Sequence, residues 1–166
     1  MNTRLARATE LQPTALPAPE ETDELDVRRQ LGTGELSFAR AKERLATWGT
    51  HRSRLMAVDA NGRSDELGTT VLLGVGLGPA RLWFGCRVVE VIDEAFRTGF
   101  SYATLPGHPE RGVERFAIAL GADGVVTGRV QAWSRPAHRA LALAGPAARL
   151  AQRVVAAQYL RRLSVD

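Results

Sequence analysis

A chain of 166 residues, 45% apolar and 24% charged, has ordinary globular composition and a length that suits one core without disulfide or metal support. The single cysteine, Cys86, excludes an internal disulfide framework, and no run reaches the ~18 apolar residues of a membrane span. The formal charge of +4 is uneven, because residues 1–26 hold two arginines against six carboxylates and so leave +8 on the rest.

Lys42 is the only lysine, and the arginines are scattered apart from those in the last segment. Nucleic-acid binders concentrate basic residues on one patch with interleaved aromatics, so nucleic acid is not an expected partner. The N-terminus lacks the apolar stretch of a secretory signal, which leaves the cytoplasm as the expected location.

Residues 1–24 contain Pro13, Pro17 and Pro19 followed by an acidic cluster. They offer little apolar surface to offset the entropy of ordering, so a disordered tail is expected, with at most a short helical piece near Leu5. One domain, 25–166, should follow. Asp26 to Thr33 reads as a first strand ending at Gly32-Thr33-Gly34. Phe38, Ala41, Leu45 and Trp48 then recur at three- and four-residue steps, the face of an amphipathic helix with Ser37 as N-cap and Gly49 as stop.

Short strand-like runs come next: Leu55–Val58, Thr69–Val75, Arg81–Ile92, Gly99–Leu105, Phe116–Leu120 and Val125–Trp133. The turn Gly121-Ala122-Asp123-Gly124 between the last two is a hairpin signal. Tight turns between short strands imply an antiparallel meander. Beyond Pro136 the pattern is helical to about Leu163, broken early at Gly145-Pro146. Leu143, Leu150, Val154, Ala157 and Leu160 make its expected apolar stripe, and the sheet is the only large partner for it. The fold class is therefore α+β: a curved antiparallel sheet wrapped around a long C-terminal helix, the helix-grip arrangement, with a cavity between the two. The glycines at 74, 76, 78, 85 and 99 suit bends in such a sheet.

The segment Gly99-Phe100-Ser101-Tyr102-Ala103-Thr104-Leu105-Pro106-Gly107-His108-Pro109-Glu110-Arg111-Gly112-Val113-Glu114-Arg115-Phe116 resembles the signature of a domain-of-unknown-function family, G-F-x-Y-G-T-L-P-G-H-P-E-x-G-E-E-x-F. Gly32-Thr33-Gly34 with Phe38, Ala41, Leu45 and Trp48 is similar to the family's opening. Val88 to Glu94 resembles its preceding strand, and Trp133-Ser134-Arg135-Pro136 with Gln152 and Tyr159 resembles its close. The resemblance covers roughly residues 27–163 and implies membership of the START-like, polyketide-cyclase-like (SRPBCC) helix-grip superfamily. Proteins of that superfamily often hold lipids, hormones or polyketides. Two departures stand out: Ala103 replaces a glycine, and Val113 replaces the first of two glutamates, so a role needing both carboxylates is in doubt.

Tyr102 and Thr104 alternate on one strand and so share a face. His108 titrates near neutrality and could act as acid or base, with Glu110 or Glu114 orienting it, or it could be fixed in a rigid turn by backbone hydrogen bonds. The expected ligand contacts are Tyr102, Thr104, His108, Trp133 and Arg135, and the catalytic candidates, if there is catalysis, are Tyr102, His108 and Glu114. Glu114 could instead pair with Arg135. Trp48, Trp83 and Trp133 read as core, with cavity lining as the alternative. Cys86 lies in an apolar run and reads as a buried small residue rather than a nucleophile. His51, His108 and His138 have no metal-ligand spacing, so neither metal nor cofactor is expected. Gly74-Val75-Gly76-Leu77-Gly78-Pro79 opens no helix and is no phosphate cradle. Two functions stay open: a binder of a small hydrophobic or amphipathic molecule, or a cyclase, dehydratase or isomerase on a polyketide-like substrate. Two or more ionisable groups converging in the pocket would favour the enzyme.

Overall fold

The computed structural model describes residues 2–14, 22–137 and 145–164. Seven strands form one antiparallel sheet in the order β1-β7-β6-β5-β4-β3-β2. They are β1 (Asp23–Thr33), β2 (Met56–Ala60), β3 (Thr70–Val75), β4 (Leu82–Glu94), β5 (Arg97–Thr104), β6 (Glu110–Leu120) and β7 (Val125–Pro136). Strands β2 to β7 are a meander, and β1 closes on β7 from the far side. Register shifts at Gln30/Gly32 and Val88/Glu90 mark bulges, which increase local twist and curl the sheet.

Two helices fill the concave face: α2 (Gly34–Ala46) and α3 (Gly145–Leu163). The α2 stripe falls where the three- and four-residue spacing predicts, with Ala41, Leu45 and Trp48 buried and Phe38 packed against them. The helix starts at Gly34 rather than after Ser37, and stops before Gly49 because Trp48 adopts a left-handed backbone (φ 62). That conformation is unfavourable for a bulky residue and survives only where packing fixes it. The indole stands edge-on to Phe100, 5.3 Å between centroids, and its Nε1–H donates to Gly62 O at 2.9 Å.

The C-terminal helix buries Leu160 as the sequence suggests, but the rest of its inward face differs from the expected stripe. Ala156, Tyr159, Leu160 and Leu163 are buried, at the i, i+3, i+4, i+7 spacing of a core stripe. Leu150 and Val154 are exposed, at 65% and 46%, and Leu143 lies outside the described residues. A stripe drawn through Leu150 and Val154 is rotated from the true one, because small Ala156 and hydroxyl-bearing Tyr159 carry more of the packing than an apolarity count credits. Leu160 sits over Gly128 of β7, where a Cβ would come within 2.8 Å of its Cδ2. Glycine there lets the helix lie close on the sheet.

The N-terminal expectation also needs correcting. Residues Thr3–Glu10 form a helix, α1, on the opposite, convex face. Leu5 and Ala8 are buried against Leu72 and Leu105, with Trp83 alongside. Arg87 donates to the carbonyls of Ala8 and Thr9 at 3.2 and 2.7 Å, satisfying the end of the helix. Two well-placed apolar residues suffice to dock one face of so short a helix, which mean composition does not reveal. The first strand likewise starts three residues earlier than expected, at Asp23. No described helix is long and apolar enough to cross a membrane.

Candidate functional site

The concave face between sheet and α3 leaves a cavity of about 410 Å³. Its walls are largely apolar, including Leu25, Met56, Leu73, Phe84 and Ala132. Tyr102 and Thr104 of β5 both line it, as their shared strand face requires. Thr104 is nonetheless committed locally: its Oγ1 accepts from Gly112 N–H at 3.2 Å and contacts Thr14 Oγ1 at 3.0 Å.

Register places Glu114 of β6 directly opposite Tyr102. The Tyr102 hydroxyl donates to Glu114 Oε2 at 2.5 Å, deep in the cavity. Glu114 is half-buried, and what it exposes faces the cavity. Burial pushes its carboxyl up from the ordinary 4.5 to about 7, against the Tyr102 hydrogen bond, which lowers it, and with help from the charge of Glu110. The same burial, with the Glu114 charge beside it, holds the Tyr102 phenol well above its ordinary range. The site therefore keeps a carboxyl poised near neutrality at the end of an apolar chamber.

Behind Tyr102 lies a residue that sequence reasoning set aside. His51, fully buried, closes the 3-10 turn Gly49–His51. Its Nε2 is 3.4 Å from the Tyr102 hydroxyl and its Nδ1 is 2.7 Å from Thr50 Oγ1. Since Tyr102 gives its proton to Glu114, its oxygen accepts from His51 Nε2–H, and Nδ1 accepts from Thr50. The donors thus run one way, from Thr50 through His51 and Tyr102 to Glu114. Tyr159 and Phe116 enclose the imidazole at 4.5 and 4.9 Å. Burial, then the Arg162 charge, lowers its pKa to about 3, so it stays neutral. The only sequence signal was a histidine just past the last residue of the α2 apolar face; its three-dimensional neighbours come from β5, β6 and α3.

A second polar group lies farther along β6. Glu110 accepts from Ser134 Oγ at 2.9 Å and from the Gln152 side-chain amide of α3. His108 lines the cavity too, edge-on to Phe84 at 5.5 Å. Its Nδ1 lies 3.1 Å from Glu110 N and 3.0 Å from Glu110 O, while Gly107 supplies the left-handed turn (φ 91) before it. Burial lowers the imidazole to about 4. The geometry joins the two sequence readings of His108: a backbone-anchored turn that also faces the cavity. Neither Glu110 nor Glu114 orients its ring through a carboxylate.

Trp133 and Arg135 do not line the cavity. They alternate with Ala132 and Ser134 on β7, which do, so period two sends them to the convex face. The Arg115 guanidinium sits over the Trp133 ring at 5.5 Å and pairs with Glu90 at 2.8 Å. Glu114 accordingly pairs with Tyr102 and not with Arg135. Of the other tryptophans, Trp48 is core and Trp83 lies half-buried beside α1. Cys86 is fully buried, and desolvation drives its thiol far up, away from thiolate chemistry.

The family model for Domain of unknown function (DUF1990) matches residues 7–162. The chain belongs to this family. A UPF0548 protein of Deinococcus radiodurans is 34% identical over 146 residues, covering 82% of this chain and 74% of that one. Among solved structures, a hypothetical protein from Helicobacter pylori aligns with a TM-score of 0.65 at 11% identity, covering 92% and 96% of the two chains. The di-domain ARO/CYC StfQ from the steffimycin biosynthetic pathway aligns with a TM-score of 0.58 at 10% identity, over 87% of this chain and half of that one. At such identities the likeness speaks for the fold alone: a DUF1990 chain on a helix-grip frame.

Proposed function

We propose that this protein binds a small, mostly apolar molecule in the cavity and fixes that molecule's polar end at Tyr102 and Glu114. The observation that carries the reading is the pairing itself: a hydroxyl and a carboxyl 2.5 Å apart at one end of a largely apolar chamber of about 410 Å³. Tyr102 occupies Oε2, which leaves Glu114 Oε1 for the ligand. Protonated, that oxygen donates to a carbonyl; ionised, it accepts from a hydroxyl or amine. Apolar walls supply affinity and the Tyr102–Glu114 pair supplies orientation.

Titration with prodan, a neutral carbonyl-bearing naphthalene whose emission reports polarity, tests the reading. Blue-shifted, saturable binding is expected for wild type. Ala132→Phe, which fills the cavity opposite Glu114, should abolish it, and Glu114→Gln should weaken it. Binding that survives Ala132→Phe in a folded variant would place the probe elsewhere and count against the cavity.

One observation favours a second reading, proton transfer on the bound molecule. A carboxyl held near about 7 is matched to acid or base work at neutral pH. The fold likeness to an ARO/CYC protein points the same way. On that reading Glu114 moves the proton and Tyr102 tunes it, while His51 holds Tyr102. Once a natural ligand is in hand, Glu114→Gln should bind it and fail to convert it; unchanged conversion would remove Glu114 from the chemistry.

A further inference from the structure

The cavity opens between the end of β3 and the outer flank of α3. Val75 and Val155 mark the two lips, since each lines the cavity and is also exposed, at 45% and 37%. Beyond the lips the surface stays apolar. On the sheet side, Leu77 is 53% exposed and Leu55 is 56% exposed, with Leu55 O accepting from Gly76 N–H at 2.9 Å. On the helix side, Leu150 and Val154 are exposed as well. Among the described residues, six of the twelve exposed large apolar side chains therefore lie on the segments that flank this opening. Scattered single leucines need no explanation, but apolar side chains gathered on the segments that flank a cavity mouth do.

The charged side chains on the segments that carry this rim have one sign. Arg52, Arg54 and Arg153 are exposed on the segments that carry it. The segments that build the rim, 49–57, 74–87 and 150–164, contain no Asp or Glu. The overall charge of +4 is modest, so this face is locally far more basic than the average.

We propose that the cavity mouth docks on an anionic lipid bilayer, seating its leucine and valine rim among the headgroups with the arginines on the surrounding phosphates. Shallow apolar insertion combined with basic attraction is how monotopic proteins hold a membrane surface. Docking there would let an apolar molecule pass between bilayer and cavity without crossing water. The inference goes beyond the binding reading and stands whichever molecule the cavity takes, because it rests on the rim and not on Tyr102 or Glu114.

Vesicle flotation of the full chain tests it. Mixed phosphatidylcholine–phosphatidylglycerol vesicles should carry the protein up at low salt and release it at high salt, and phosphatidylcholine vesicles alone should carry little. Leu77→Asp and Leu150→Asp, both at exposed positions, should each cut partitioning about tenfold with unchanged thermal melts. Arg54→Glu should weaken it at low salt. The proposal falls if the mixed vesicles do not carry wild type, or if only the arginine change matters. It also falls if sedimentation shows that the rim instead joins two copies of the chain, dispersed by Leu77→Asp. Tyr102→Phe should leave flotation untouched, which separates this result from any failure of the ligand-binding reading.

Discussion

Replacing Glu114 with glutamine should change how stability depends on pH, because the native fold holds this carboxyl's proton more tightly than the unfolded chain does. The native value is about 7, against the ordinary 4.5. Between those two values the unfolded chain has released a proton that the folded chain keeps, so wild-type stability falls as pH rises through this window and levels off above about 7. At about 1.4 kcal/mol per pH unit the whole window corresponds to about 3 kcal/mol. His51 and His108 act in the opposite sense. Their native values are lowered to about 3 and about 4, so the stability they contribute is present above the ordinary histidine range and is lost as pH falls. Both variants keep those histidines, and the comparison cancels them. Urea titrations from about pH 5 to about pH 8 should show Glu114→Gln gaining about 2–3 kcal/mol relative to wild type across the range. A difference that stays flat with pH would mean that Glu114 titrates as a solvated carboxylate and that the site is not a desolvated one.

Three further outcomes follow from the packing and the hydrogen bonds. Tyr102→Phe removes the donor that lowers Glu114, so the carboxyl should titrate still higher in a ¹³C NMR titration; a downward move would contradict the pairing. Leu160→Ala should cost about 2–5 kcal/mol in chemical denaturation, while Leu150→Ala should stay within about 0.5 kcal/mol, because only the first is buried; equal costs would refute the helix orientation. Deleting residues 1–14 strips Leu5 and Ala8 from Leu72 and Leu105 and should lower stability by about 1–3 kcal/mol; a melt matching the full chain would show that α1 adds nothing to the fold.

The antiparallel meander and the helix-grip frame were legible because they rest on local signals. Turn residues punctuate each strand, and the α2 spacing of Phe38, Ala41, Leu45 and Trp48 is regular. Tyr102 and Thr104 were placed together by strand alternation alone, and the same alternation, continued along β7 from Ala132 and Ser134, excludes Trp133 and Arg135. What stayed hidden depends on pairing across long stretches of chain. The Tyr102–Glu114 contact is a matter of β5–β6 register, the Glu110–Gln152 contact joins β6 to α3, and His51 reaches Tyr102 only because Trp48 turns the chain inward. The α3 stripe differs from the apolar count because small Ala156 and hydroxyl-bearing Tyr159 face the core, while Leu150 and Val154 face out. The helix near Leu5 was visible, but its docking was not, since Leu72 and Leu105 lie on distant strands.

Native mass spectrometry of the protein purified from its own host tests the central claim most directly. Wild type should carry a small molecule that persists in the native spectrum and is released on denaturation. Ala132→Phe, with the space opposite Glu114 filled, should show the bare chain mass. Bare chain mass for wild type, or the same adduct on the filled variant, would contradict a ligand held in this cavity.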